Sequence, residues 1–243
     1  MKKIALIPAR YAATRFPAKL MQPIGDKPVI RFTYDQVVSM GLFDEVIVVT
    51  DSDIIFQEIR AHGGHAVMSK KEHESGSDRI AEAVAGMDVD VIINVQGDEP
   101  FIQREPLEKL LRLFDDETVQ VGSLMRTISA AEAEDPNMVK VVTDLSGNAL
   151  YFSRSPIPYP RSGDFQAGYN LHVGVYGYRK QALMAFTGWA PSPAEQTEKL
   201  EQLRYLEHGV KIRMASTTHT TIAIDTPGDL ERARVWFAAN RNA

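Results

Sequence analysis

Three short apolar runs constrain this chain more than anything else in it. Ile4-Ala5-Leu6-Ile7 stops at Pro8, Glu45-Val46-Ile47-Val48-Val49-Thr50 stops at Asp51, and Asp90-Val91-Ile92-Ile93-Asn94-Val95 stops at Gln96-Gly97-Asp98-Glu99-Pro100. Continuous β-branched runs of this length are the mark of strands buried on both faces. Between them lie helical periodicities at Val29 to Val38, at Ile54 to Ala61 and, after the polar segment Ser69 to Asp78, at Arg79 to Ala85, with a short strand at His65 to Met68. Strands alternating with helices imply an α/β fold with a doubly wound, mostly parallel sheet and right-handed crossovers. In such sheets ligands bind outside the carboxyl ends of the strands. The loops after the three runs are therefore where chemistry is expected.

The first of these loops carries a concentration of charge. Leu6 to Lys19 holds Arg10, Arg15 and Lys19 and no acid. Arginine forks match phosphate oxygens and lysine adds a compact charge, so the stretch points to a polyanion such as a triphosphate. By itself it is also readable, with less weight, as a solvated basic loop. The whole chain has a formal net charge of -5, which argues against a nucleic-acid partner, so the local cations point to a small anionic ligand. No window approaches the ~20 apolar residues of a membrane helix, and the start lacks the features of a signal peptide, so the expected location is the cytosol without membrane insertion. Zero cysteines exclude disulfides, thiolate catalysis and Cys-ligated zinc together, leaving oxygen or imidazole ligands for any metal.

From about Val119 the rhythm changes. Val121 to Met125, Val139 to Thr143 and Ala149 to Ser153 are strands joined by turns such as Ser146-Gly147-Asn148, with a proline-rich loop at Pro156 to Pro160. This reads as an antiparallel section inserted in one 243-residue domain, at about 119–164, and as a candidate oligomer contact. The α/β pattern resumes with a strand at Leu171 to Tyr178, a helix near Lys180 to Phe186 and a strongly helical Glu195 to Glu207. Thr221 to Asp225 reads as a last strand, followed by a helix with Pro227 at its first position.

Two acids stand at strand ends: Asp98 after the third run, and Asp225 after the last. Magnesium is commonly held by one or two carboxylates with substrate phosphates, so this pair opposite Arg10, Arg15 and Lys19 is the candidate metal site. Taken singly, each acid is as readily a helix cap. In His73-Glu74-Ser75-Gly76-Ser77-Asp78-Arg79 the small Ser75-Gly76 lets backbone approach a flat ring, and Arg79 at a helix start is expected to have its guanidinium free for a phosphate or ribose. Asp51 is expected to be structural. His172, between Leu171 and Val173, reads by pattern as a partly buried structural histidine, Tyr176 and its neighbouring aromatics as core, and Glu201-Gln202 as the solvated face of a helix.

Ile7 to Lys19, His73 to Arg79, Val95 to Pro100, Ala149 to Arg154, Gly174 to Arg179, Glu198 to Arg204 and Asp225-Thr226-Pro227, in this order, resemble the successive motifs of the 3-deoxy-manno-octulosonate (Kdo) cytidylyltransferases. The chain departs from them at Ala18-Lys19-Leu20, where a Gly-Lys-Pro is usual, and at Ala194 to Thr197. The resemblance implies a nucleotide-diphospho-sugar transferase fold, CTP and Kdo as substrates, CMP-Kdo and pyrophosphate as products for lipopolysaccharide assembly, Mg²⁺ as cofactor, and a homodimer. It implies Arg10, Lys19, Asp98 and Asp225 as catalytic residues, with Asp98 and Asp225 on the metal. Pro8, Ala9, Arg10, Arg15, Lys19, Ser75, Gly76, Arg79 and Gln96 would face the nucleotide. Gln96, Arg154, His172, Tyr176, Glu201 and Gln202 would face the sugar. A cytidylyltransferase for sialic acid or 8-amino-Kdo is the nearest alternative. A non-catalytic nucleotide sensor would be expected to lack an acid or cation at these positions. A glycosyltransferase would rely on an Asp-x-Asp pair, for which Asp51-Ser52-Asp53 is the candidate.

Overall fold

The computed structural model describes residues 1–12, 16–73, 75–161, 168–220 and 222–240. Strand β1 (Lys3–Ala9) runs straight through Pro8. It pairs in parallel with β4 (Glu45–Thr50) along Ile4 to Ala9, but with β6 (Val91–Asn94) only along Lys3 to Leu6. The Leu6 carbonyl accepts from the Val95 N–H, on the β6 side. Pro8, two residues on, would aim its absent N–H in the same direction, past the last pair of that ladder, so no sheet hydrogen bond is lost.

Between β1 and β4 the chain forms a hairpin, β2 (Pro23–Ile24) and β3 (Lys27–Pro28), turned by Gly25 at φ 63, and then α1 (Val29–Ser39). After β4 come α2 (Asp53–Ala61), β5 (Ala66–Met68) and α3 (Gly76–Val84). Helix α3 starts three residues before the expected Arg79 because Ser75 caps it, its hydroxyl oxygen accepting from the Asp78 N–H at 3.1 Å. A helix the sequence reading passed over, α4 (Arg104–Arg112), follows β6. The chain continues through β7 (Val121–Ile128), α5 (Ala130–Ala133), β8 (Lys140–Thr143), β9 (Ala149–Ser153), β10 (Tyr169–Arg179), α6 (Lys180–Thr187), α7 (Pro193–Glu198), α8 (Leu203–Glu207), β11 (Ile212–Ser216) and α9 (Pro227–Asn240).

These elements group into two units. One is Met1–Arg104 with the stretch from Thr220 onward, and the other is Glu105–His219. The first has the parallel order β6-β1-β4-β5, and its strands are buried almost throughout. Helix α9 returns to it through aromatic contacts. Trp236 lies 4.2 Å from Phe101 between ring centres, and Phe32 meets Phe101 and Phe237 edge-on at 5.5 and 5.3 Å.

In the second unit β7 pairs in parallel with β11 and antiparallel with β10, while β8 pairs antiparallel with β9. This bears out the doubly wound parallel α/β reading with its antiparallel section. The segment expected to be inserted, about 119–164, falls within this unit and in part outside the described residues.

Two local expectations are corrected. Glu195 to Glu207 is not one helix: Lys199 takes a left-handed backbone, φ 55, closing α7 before α8 begins. Residues 222–225 form no strand; they are tied down instead by the Ile224 N–H, which donates to the Asp98 carbonyl at 3.0 Å. An apolar stretch of this length is ambiguous by pattern, and here one hydrogen bond to the loop after β6 replaces a ladder.

Candidate active site

In the first unit the loops leaving β1 and β6 and the segment before α9 meet at one point. The Lys19 Nζ lies 2.5 Å from Asp98 Oδ2 and 3.0 Å from Asp225 Oδ1. Burial pulls the Lys19 pKa down, but the Asp98 charge and hydrogen bond, with Asp225, outweigh it and raise it, so the ammonium stays charged. Lys19 is placed there by a short turn, Lys19–Met21, entered through Ala18 at φ 55. That is a left-handed conformation glycine adopts freely and alanine does not, which explains why a Gly is usual at this step of the motif.

Beneath Asp98, Gly97 packs closely: a Cβ there would come within 3.3 Å of the Pro8 carbonyl oxygen. The Gly97 carbonyl accepts from the buried Thr33 hydroxyl of α1 at 2.9 Å, so the turn that presents Asp98 is pinned from below. The next residue, Glu99, is buried. Burial, and then the Asp98 charge, push its carboxyl up to about 8, so it is neutral at pH 7. Sequence reasoning missed Glu99, because its adjacency to Asp98 was legible and its burial was not.

Arg10 is exposed on the chain leaving β1, Ala9 is buried and Pro8 partly so. Arg15 lies outside the described residues. Gly76 seats against the same strand end, where an added Cβ would stand 3.4 Å from the Pro8 ring. Gln96 is partly buried just after β6.

The Arg79 guanidinium is not free, contrary to expectation. It is 4% exposed, donating to the Ser69 hydroxyl at 2.9 Å and to Asp51 Oδ2 at 2.6 Å. The reason is that Asp51, at the end of β4, faces the start of α3 and needs a partner, which gives Asp51 the structural role expected of it.

The sugar-side candidates other than Gln96 lie in the second unit. Strand β10 is irregular between Val173 and Tyr176, and Ser123 of β7 answers the bulge. Its hydroxyl donates to the Val175 carbonyl at 2.9 Å and, having one proton, accepts from the His172 Nε2 at 3.0 Å. Burial holds the His172 imidazole down at about 4, so the ring is neutral. Its centre lies 5.0 Å from Phe152 and 5.2 Å from Tyr176, and Tyr176 stacks on Tyr178.

Burial, Tyr178 and the Glu201 charge together raise the Tyr176 hydroxyl well above its usual range, which places Glu201 near Tyr176. Glu201 is exposed and Gln202 buried, on the turn between α7 and α8. Arg154 braces that turn: its Nε donates to the Glu198 carbonyl at 2.7 Å and its own N–H to Glu198 Oε2 at 3.0 Å. Beneath it the fully buried Lys140 Nζ donates to the Arg154 carbonyl at 2.5 Å and to the Asp135 carbonyl at 3.0 Å. Lys140 stands in an apolar strand pattern, and no sequence signal separates it from a surface lysine.

A divalent cation fits the Asp98–Asp225 pair. Two hard oxygen donors from segments far apart in the chain already converge on one positive charge. Among the described residues no group of three or more His, Asp or Glu side chains gathers as a metal cage. The protein therefore offers a two-carboxylate seat of the kind magnesium completes with phosphate oxygens and water.

Comparison with known proteins identifies the family. A cytidylyltransferase family model matches residues 4–212. A curated 3-deoxy-manno-octulosonate cytidylyltransferase from Flavobacterium johnsoniae is 60% identical over 238 residues, covering 96% of this chain and 98% of its own length. One from Christiangramia forsetii is 51% identical over 235 residues, covering 95% of each chain. A solved CMP:2-keto-3-deoxy-manno-octonic acid synthetase complexed with CTP superposes with a TM-score of 0.94 at 42% identity, covering 98% of this chain and 99% of its own. With relatives this similar over almost its whole length, the chain belongs to the family of 3-deoxy-manno-octulosonate cytidylyltransferases.

Proposed function

We propose that this chain transfers CMP from CTP to the anomeric hydroxyl of Kdo, releasing pyrophosphate, with the first unit's site as its nucleotide and metal end. The observation that carries the reading is the meeting of Lys19 with Asp98 and Asp225 at the carboxyl edge of a parallel sheet. Arg10 and Lys19, with Arg15, bind the triphosphate: Arg10 is exposed on the chain leaving β1 and the Lys19 ammonium stands at the carboxylate pair, and cations of this kind match phosphate oxygens. Asp98 and Asp225 hold Mg²⁺, which when bound neutralises phosphate charge and aligns the α-phosphate. Phosphoryl transfer of this kind asks the protein chiefly for positioning and charge stabilisation. Pro8, Ser75 and Gly76 form the wall against which the nucleoside lies, backed by the buried Ala9, and Gln96, just after β6, belongs to the same nucleotide side. Arg79 contributes by fixing that wall from behind.

In the second unit His172, Tyr176, Glu201 and Gln202 present neutral and anionic hydrogen-bonding groups to sugar hydroxyls, and Arg154 sets the turn that carries the last two. The sugar is Kdo rather than sialic acid or an amino-substituted Kdo on the strength of the relatives' names. The enzyme works as a homodimer in the cytoplasm. No helix among the described residues is long and apolar enough to cross a membrane.

The test uses Asp98→Ala and Lys19→Met. Asp98→Ala is expected to abolish Mg²⁺-dependent pyrophosphate release with an unchanged circular dichroism spectrum; loss of the folded spectrum would make Asp98 a structural cap instead. Lys19→Met is expected to weaken CTP binding far more than CMP binding, and equal effects on both would overturn its assignment to the triphosphate.

A further inference from the structure

The segment between β5 and α3 ends at Ser75, with Gly76 opening the helix, and its described residues form no strand or helix of their own. A loop without a ladder is normally mobile and would lose conformational freedom on meeting a ligand. Here it is fastened to α3 at several points. Arg79 takes the Ser69 hydroxyl, and the Asp78 carboxylate takes the Ser75 hydroxyl at 2.8 Å. Both oxygens of Glu82, one turn further along, are also spent on the loop. Oε1 accepts from the Lys70 N–H at 2.6 Å, and Oε2 lies 2.5 Å from the His73 Nε2. The His73 side chain is 3% exposed and that of Glu82 is 18% exposed, so this is a sheltered contact and not a surface pair. Arg79 and Glu82 are three residues apart on α3 and so share a face.

We propose that Glu82 is a positioning residue for nucleotide binding: through Lys70 and His73 it holds the loop in the shape in which Ser75 and Gly76 meet the nucleoside. The inference rests on the reading above that this loop forms the nucleoside wall. A preformed loop lowers the entropy lost on binding, so the advantage appears in affinity for the whole nucleotide and not for its phosphates, which are held by other residues. The Glu82 carboxylate has a pKa below its usual value: the Lys70 N–H and His73 outweigh the upward pull of burial, so both oxygens remain acceptors at neutral pH.

The experiment compares Glu82→Ala and Glu82→Gln with the parent enzyme in Mg²⁺. It measures binding of CTP and of inorganic tripolyphosphate by calorimetry, steady-state kinetics, and amide hydrogen exchange across residues 69–76. Glu82→Ala is expected to speed exchange in the loop, raise the CTP Kd and KM about tenfold or more, leave kcat at saturating CTP and tripolyphosphate binding unchanged, and be largely rescued in Glu82→Gln, whose amide oxygen still accepts from Lys70. Unchanged exchange in the loop overturns the positioning role. Equal weakening of CTP and tripolyphosphate also overturns it, since Glu82 would then support the whole unit. Faster exchange with unchanged CTP affinity overturns instead the reading that the loop contacts the nucleoside. If Glu82→Ala does not fold, His73→Ala, which removes one of the two fastenings, is expected to give the same pattern at smaller amplitude, and its absence overturns the inference.

Discussion

Glu99 makes the fold itself sensitive to pH in a direction opposite to most carboxylates. Its ordinary value of 4.5 is pushed up to about 8 by burial and then by the Asp98 charge. A folded-state pKa above the unfolded one means that the native protein holds this proton more tightly. The associated stability is fully present below about pH 4.5 and is lost as pH rises through about 8. The shift spans roughly 3.5 units at about 1.4 kcal/mol each, near 5 kcal/mol in all, of which about 4 kcal/mol falls between pH 5 and pH 9.

Glu99→Gln keeps the shape and removes the titration. Urea unfolding followed by circular dichroism at intervals across that pH range, in EDTA so that Asp98 stays unligated, should show the parent losing about 4 kcal/mol relative to the variant towards high pH. Parallel curves for the two proteins would refute the reasoning. Adding Mg²⁺ should shrink the difference, because a cation on Asp98 removes the second cause of the shift.

Other consequences are simpler. His172 is held at about 4 against an ordinary 6.5, a lowered value, so its stability is present above about pH 6.5 and lost as pH falls towards 4. Up to about 3 kcal/mol should disappear over that window in the parent and not in His172→Gln, checked by the same unfolding assay. Arg204 and Glu195 form a buried pair, Nε to Oε2 at 2.7 Å and Nη2 to Oε1 at 2.5 Å. Removing one partner strands the other, so Glu195→Ala should cost about 3–5 kcal/mol, and the double change with Arg204→Met less than the sum of the two singles, measured as a cycle of urea midpoints.

The first unit was largely legible because parallel strands buried on both faces write themselves as unbroken apolar runs, and because such sheets put ligands at one edge. That logic located Asp98 and Lys19 on one edge; Asp225 was read from a last strand that does not form and reaches the same edge through the Ile224 hydrogen bond, and nothing in the spacing foretold that an ammonium would lie between the two acids. Partnerships across the chain were illegible for the same reason. Arg79 looked available because Asp51, 28 positions away, could not be seen to face it. Lys140 is fully buried yet sits in a strand whose alternation gives no sign of it, since its charge is satisfied by two backbone carbonyls that any sequence would supply. The break at Lys199 was hidden because a left-handed residue other than glycine leaves no compositional mark.

The first unit is built from both ends of the chain, and Asp225 meets Lys19 across 206 positions. Order of synthesis therefore bears on activity. Arg10, Lys19 and Asp98 all emerge from the ribosome well before the residue that completes the carboxylate pair, and the aromatic clasp of α9 on Phe32 and Phe101 emerges later still. Closing so long a loop is entropically costly until those contacts form. A growing chain consequently has only one of the two carboxylates that meet Lys19, and this arrangement is completed as one of the last events of folding, when the returning segment docks.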